Sequence, residues 1–443
     1  MPAEHTTTHD DGGQGRRAWV HETVVDLNDG VDPRGVGAAV TIALCGHWVH
    51  DGPCLWPHNN EIADGLFRTL FVCGADEEPG VRARIFAALE DPAQWRLVSQ
   101  RERPVHGSEE ALAQELLRVR LASASIGNRN VMEWLLDSDP AIRWQVLQDL
   151  ADAPADSVAA ERARVVREGW GARLLALRGS DGQWAGGALF PAERAVGAPR
   201  WQPWTATAYS LVALADFGAE PEAPSVRETI DLVRANCRWE NDDQPFFEGE
   251  VEPCINGMVV VLGTRFGQPV DAVVDRLVGE QLQDGGWNCW TEYGSVRSSF
   301  HTTIRVLEGL LAHERATGGT PASIQARRRG EEYLLERRLM RRLSTGDVVR
   351  PEWLRFSFPT RGHYDVLRGL EYFRMVGGRP DARLDEAVAL VRSKQQPDGT
   401  WLLEHTHPGD IHFAMEGPDG TPSRWNTLRA MRVLRWYDSL SRT

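Results

Sequence analysis

Glu252 and Cys254 stand together in the segment Glu-Pro-Cys-Ile-Asn-Gly, His301 sits in Ser-Phe-His-Thr-Thr, and Cys289 lies between them in Trp-Asn-Cys-Trp. Thiolate, imidazole and carboxylate are the donors that zinc favours, and three of them leave a fourth position open for substrate or water. Cys289 could replace Glu252 in such a set or close it as a fourth ligand. Cys254 opens a helical pattern, and a helix N-terminus is expected to lower a thiol pKa. The bland alternative makes Cys254 a small buried residue and His301 a helix cap. A second cluster, His47, His50, Cys54 and His58, has the spacing of a zinc knuckle. The same residues could instead alternate along a strand.

The elements that must position these groups change character near residue 125. Residues 1–36 open with a polar, Gly-rich stretch and are expected to form a disordered leader. Residues 37–121 mix β-like runs (37–50, 67–73 and 95–100) with helical patterns (78–89 and 108–122), which predicts a small α/β domain. Residues 130–440 are helical and periodic. One helix set, apolar over most of its surface, starts at Trp144, Trp204, Cys254, His301, His363 and Trp425. Amphipathic helices fall between its members. Tight turns that end in tryptophan, at 179–184, 283–287 and 396–401, stop three of the amphipathic helices. A helix buried all round alternating with one buried on a single face predicts a mainly α chain. Its architecture would be an α/α toroid of about six helix pairs with an inner and an outer wall.

In a toroid the N-termini of inner helices meet at one mouth, which would bring Cys254 and His301 side by side. Trp204, Trp287, Phe300, Tyr364 and Trp425 fall at inner-helix starts or in the turns feeding them. They would line a cavity for an apolar or cation-developing substrate, or else pack the repeats. The inner-row arginines Arg305, Arg368, Arg424 and Arg429 could bind an anion or pair with carboxylates, and Arg305 is taken as substrate-binding. His363 with Asp365 is a candidate acid–base pair, and the His-rich loop 404–413 could close over the mouth.

Composition excludes some chemistry. A net charge of −14 argues against nucleic acid and anionic membrane as partners. No run approaches the ~20 apolar residues of a membrane span. Lys394 is the only lysine, and its polar surroundings at a helix end do not suit a Schiff base. Six cysteines in 443 residues do not make a disulfide framework, so a cytoplasmic setting is expected.

The Gln-Asp-Gly-Gly-Trp turn (283–287) and the Gln-Pro-Asp-Gly-Thr-Trp turn (396–401) resemble the Gln–Trp repeats of squalene-hopene cyclases. The chain thereby resembles the terpenoid cyclase and protein prenyltransferase superfamily of α/α toroids. Glu252-Pro-Cys254 and the Phe300-His301-Thr302 helix resemble the zinc ligands of prenyltransferase β-subunits, with Glu where that family has Asp. The resemblance implies a zinc enzyme. It does not carry over the Lys-rich diphosphate pocket, nor the Asp-x-Asp-Asp acid of class II cyclases, since both motifs are missing. The function expected is zinc-dependent transfer or cyclisation on a small or thiol-bearing, partly apolar substrate, either a small molecule or a peptide. Two alternatives stay open: an isoprenoid cyclase with a non-standard acid, and a non-catalytic ligand-binding protein with structural zinc.

Overall fold

The computed structural model describes residues 16–28, 34–45, 56–63, 66–75, 77–89, 95–118, 131–192 and 204–441. Contacts divide the chain into two compact units that meet in sequence between residues 130 and 131.

The first unit runs β1 (Arg16–Leu27), α1 (Arg34–Cys45), β2 (His58–Ala63), β3 (Leu66–Gly74), α2 (Glu78–Leu89), β4 (Trp95–Arg103) and α3 (Glu110–Arg118). Its sheet has the order β2-β3-β1-β4, and every neighbouring pair is antiparallel. That is two interleaved strand–helix–strand units. Val36, Val40 and Leu44 of α1 join Val81 and Ile85 of α2 over Phe67 and Phe71. Ala113 and Leu116 of α3 pack with Val20, Leu70 and Val72. Alternate residues of β1 and β3 thus serve two cores.

Two sequence expectations change here. Residues 16–27, assigned to the leader, form the strand at the middle of the sheet. Residues 37–45, expected to open a strand, are helical, because a short apolar run fits a buried helix as well as a strand. The first fifteen residues and the segment 123–130, expected to be a linker, lie outside the described residues.

The second unit is mainly helical: α4 (Val131–Leu136), α5 (Pro140–Asp149), α6 (Ala155–Arg162), α7 (Gly169–Ala176), α8 (Thr207–Phe217), α9 (Pro224–Asn236), α10 (Pro253–Arg265) and α11 (Asp271–Gly279). It continues with α12 (Phe300–Thr317), α13 (Pro321–Glu336), α14 (Val366–Val376), α15 (Asp385–Ser393) and α16 (Arg424–Ser441). A two-stranded ribbon, β5 (Trp401–Leu402) with β6 (Pro422–Ser423), precedes the last helix. Helix α5 packs on α8, α8 on α10, α10 on α12, α12 on α14 and α14 on α16, and α16 returns to α5. Helices α7, α11, α13 and α15 each pack on a member of that circuit.

The tryptophan turns explain the regularity. Backbone bonds Gly179 N–H to Gln183 O (2.8 Å), Leu282 N–H to Gly286 O (2.9 Å) and Gln396 N–H to Thr400 O (2.8 Å) close the same loop three times. Each places a glycine, Gly182, Gly285 or Gly399, at a positive φ that side chains avoid. Each tryptophan then donates its indole N–H to a carbonyl at the C-terminus of the preceding helix. Trp184 reaches Leu174 (2.8 Å), Trp287 reaches Leu277 (2.7 Å) and Trp401 reaches Val391 (2.7 Å). Their backbone N–H groups donate to Thr207, Thr303 and Thr427 on α8, α12 and α16. One residue per repeat therefore caps the preceding helix and docks it on a member of that circuit.

Helices α10 and α12 cross on two glycines. A Cβ at Gly257 would lie 2.6 Å from the Arg305 carbonyl oxygen, and one at Gly309 would lie 2.7 Å from the Gly257 carbonyl oxygen. Backbone rests on backbone there, which fixes the spacing of the residues at the two helix starts.

Candidate metal and substrate site

At the start of α10, Glu252 occupies the N-cap position, and Cys254 follows two residues later. Cys289 comes from the loop after the Trp287 turn, where its sulfur lies 3.4 Å from Thr302 Oγ1 on the first turn of α12. The ligand atoms of Glu252, Cys254 and Cys289 all lie within 4.8 Å of one another. Cys254 Sγ donates to Glu252 Oε2 at 3.3 Å. The hydrogen bond to Cys289, then burial and the Glu252 charge, hold the Cys254 thiol well above its ordinary value. That same hydrogen bond pulls Cys289 down. The expected lowering of Cys254 by its helix N-terminus is thus overridden by a second sulfur and a carboxylate. Two sulfurs and a carboxylate competing for protons at close range match the donor set of a zinc site.

His301 does not belong to that three-residue group. Its Nδ1 accepts the Tyr364 backbone N–H at 2.8 Å, and burial, followed by His363, lowers its pKa to about 4. It is a neutral imidazole facing the same cavity as the thiols.

That cavity has a volume of about 850 Å³, and its wall includes Glu252, Cys254, Cys289, His301, His363 and Arg305. Trp204 and Tyr209 add an aromatic side, with ring centroids 4.9 Å apart in an edge-to-face arrangement. Trp290 and Tyr293 line the mouth and are 68% and 81% exposed.

Several expected substrate contacts fall elsewhere. Trp287 is buried in its helix-capping role. Phe300 packs against Tyr333, Trp353 and Tyr364, and Tyr364 gives its hydroxyl to Leu339 O at 2.7 Å. Trp425 stacks on Phe358 at 4.2 Å. These rings hold repeats together and leave only Trp204 and Arg305 of the expected set on the cavity wall. Asp365 is likewise buried. It caps α14 by accepting the Arg368 N–H at 2.7 Å and faces Ser357 and Arg429, while His363 points into the cavity. The pair therefore splits into a structural acid and a cavity-facing base.

Residues that the sequence did not single out include Tyr209 and Arg361, and His407 was singled out only as part of the loop 404–413. His407 stacks on His363 at 4.0 Å and meets Ser357 Oγ at 3.2 Å. Burial, then His363, lowers its pKa to about 3. The signals available were the His-rich loop 404–413 for His407 and the Thr-Arg-Gly-His segment (360–363) for Arg361. In the second histidine–cysteine cluster, His47, His50 and Cys54 lie outside the described residues. His58 is buried, with Nδ1 2.9 Å from Trp56 O and Nε2 3.4 Å from Thr41 Oγ1.

No family model and no curated protein matches the chain. Among solved structures it is similar to a type II terpene cyclase from Scytonema, MstE, determined in complex with geranylgeranyl dihydroxybenzoate. The identity is 16% and the TM-score 0.33, over 70% of this chain and 94% of that one. Among the described residues, no helix is long and apolar enough to cross a membrane.

Proposed function

We propose that the helical unit is an α/α toroid enzyme that binds zinc at its mouth through Glu252, Cys254 and Cys289 and performs transfer or cyclisation on a small or thiol-bearing, partly apolar substrate. The circular order of contacts from α5 through α16 and back supports the toroid. The observation that carries the function is the convergence of two thiols and a carboxylate on the wall of an 850 Å³ cavity. When bound, zinc would lower the pKa of a thiol or water in an open coordination position. The chain's own groups supply the rest. Trp204 and Tyr209 give the substrate an apolar face. Neutral His363, lowered chiefly by burial, stands on the same wall as a proton acceptor. His301, fixed by the Tyr364 N–H, is the group that decides between an open and a closed metal site.

Metal analysis of the purified protein tests this reading. About one zinc per chain is expected in the wild type, lost in Cys254→Ala and in Cys289→Ala. Retention in His301→Ala marks an open three-ligand site. Zinc held only when His301 is present points to a closed structural site and a binding protein. Metal-free wild type, purified without chelators and unable to take up added zinc, sinks the proposal.

A further inference from the structure

The inner-row arginines divide into two kinds. Arg368 makes a two-pronged pair with Glu308 (2.7 and 2.6 Å), and Arg429 lies 3.7 Å from both Asp365 and Glu371. Arg424 donates to the carbonyls of Trp134 and Asp137. Arg305 has no carboxylate within 4.0 Å among the described residues, although it is only 8% exposed. Arg361 is equally without one. Both line the cavity that holds Cys254 and Cys289. Glu252, the one carboxylate on that wall among the described residues, is engaged with Cys254.

The two guanidinium groups are built into place. The Arg305 guanidinium lies 5.9 Å from the Tyr209 ring centroid and reaches that residue's hydroxyl. Arg361 lies 5.5 Å from the Trp204 ring centroid, and its backbone takes a φ of +52°, uncommon for a side-chain-bearing residue. Next to it, Gly362 leaves room that a side chain would fill, since a Cβ there would meet Arg305 Nη2 at 2.7 Å. Glu308 and Asp216 act on Arg305 only from beyond ion-pair distance, and Glu308 is held by Arg368. Arg305 is buried and Arg361 half-buried, and a guanidinium withdrawn from water without a counter-ion is costly, so the two on one wall suit an anion.

From this the geometry points to an anion subsite: Arg305 and Arg361, with the Tyr209 hydroxyl, take a carboxylate or phosphate group of the substrate while its reacting end lies at Cys254 and Cys289. This rests on the enzyme reading above and narrows its substrate to an organic oxyanion. The planar forks of both arginines suit either oxyanion, and the cavity has room for the rest of the molecule.

Calorimetric titration of the chelator-treated full-length chain with inorganic phosphate, pyrophosphate and succinate, in separate arms, tests the subsite. Saturable binding is expected in at least one arm, and the arm that binds distinguishes phosphate from carboxylate. Arg305→Gln and Arg361→Gln should each weaken it about tenfold or more, Arg305→Lys less, and Arg227→Gln on the exposed side of α9 not at all. Thermal melts of each variant identify any that fails to fold, in which case Arg305→Lys and Arg361→Gln carry the test. No binding in any arm, or binding unchanged in both glutamine variants, overturns the subsite. Zinc content of each variant as purified, before chelator treatment, separates the two proposals. Lost anion binding with zinc retained supports the subsite, and lost zinc with anion binding retained condemns only the metal site.

Discussion

Replacing Gly257 by alanine tests whether the α10–α12 crossing sets the geometry of the thiols. The new Cβ would stand 2.6 Å from the Arg305 carbonyl oxygen and 2.8 Å from the Val306 nitrogen, against 3.4 Å for ordinary contact. The helices must therefore part by about 0.8 Å. Overpacking of this kind costs ~1–3 kcal/mol. Alanine returns about 1 kcal/mol of helix propensity. The net loss is then roughly 0–2 kcal/mol, a small drop in Tm. The effect on the site should be larger. Cys254 lies one turn before Gly257, and Cys289 is tied to Thr302 on α12, so the same displacement opens the sulfur pair. A loss of zinc affinity of about 10–100-fold is expected, the size seen when support around a metal site is disturbed. A competition assay against a chromophoric chelator reads it. Gly279→Ala on α11, where a Cβ meets nothing within 4 Å, is the control and should keep both affinity and stability. If Gly257→Ala behaves like Gly279→Ala in both measurements, the close crossing does not set the site.

Trp287→Phe leaves the Leu277 carbonyl without its indole partner in a fully buried setting and should cost about 2–4 kcal/mol in denaturant unfolding. Trp290→Phe, at a 68% exposed position, should stay within about 0.5 kcal/mol, and equal losses would refute the capping role. His21 is buried, and burial, then Arg82, lowers its pKa from 6.5 to about 4. The unfolded chain takes up this proton below pH 6.5 while the folded chain refuses it, so stability present above pH 6.5 falls as pH drops toward 4. His21→Leu should flatten that acid limb in the melting of the N-terminal unit, and an unchanged limb would show that His21 does not cause it.

The helical repeat was legible because its cause is repetitive. A helix start every fifty to sixty residues and a Gly–Trp turn before three of them leave a period that one sequence displays. The strand at 16–27 was not legible. Arg16 and Arg17 follow a Gly-rich stretch, and its pairing partners lie some fifty and eighty residues downstream. The candidate metal group was half legible. Glu252 and Cys254 share one helix start, but whether Cys289 or His301 completes them depends on a loop path that no spacing encodes. Aromatic positions misled most. Trp287, Phe300, Tyr364 and Trp425 sit where a cavity rim would be, yet their polar atoms or ring faces turn to the packing between repeats. Arg361 was invisible because its role comes from a turn backbone and from the absence of a neighbouring carboxylate.

The interior of the helical unit bears on the isoprenoid alternative. Asp216 on α8, raised to about 6 chiefly by burial, feels Glu308 and Arg305 of α12, Arg368 of α14 and Arg429 of α16. Arg432 of α16 pairs with Glu371 of α14 at 2.5 Å. Charges from α8, α12, α14 and α16 thus meet in the interior of the helical unit. Each CH₂ moved from water to an apolar wall is worth ~0.8 kcal/mol. Against ionised groups that need hydration or pairing, the gain is not realised. Apolar contact is left to the mouth, at Trp204, Tyr209, Ile255 and Met258. Chain length should therefore matter little: farnesyl and dimethylallyl diphosphate, which share a head group, should bind the protein within about threefold of each other. Ten extra carbons in an apolar tunnel would instead give several orders of magnitude. Farnesyl diphosphate binding a hundredfold tighter would restore the isoprenoid reading and show that the ion pairs give way to a hydrocarbon chain.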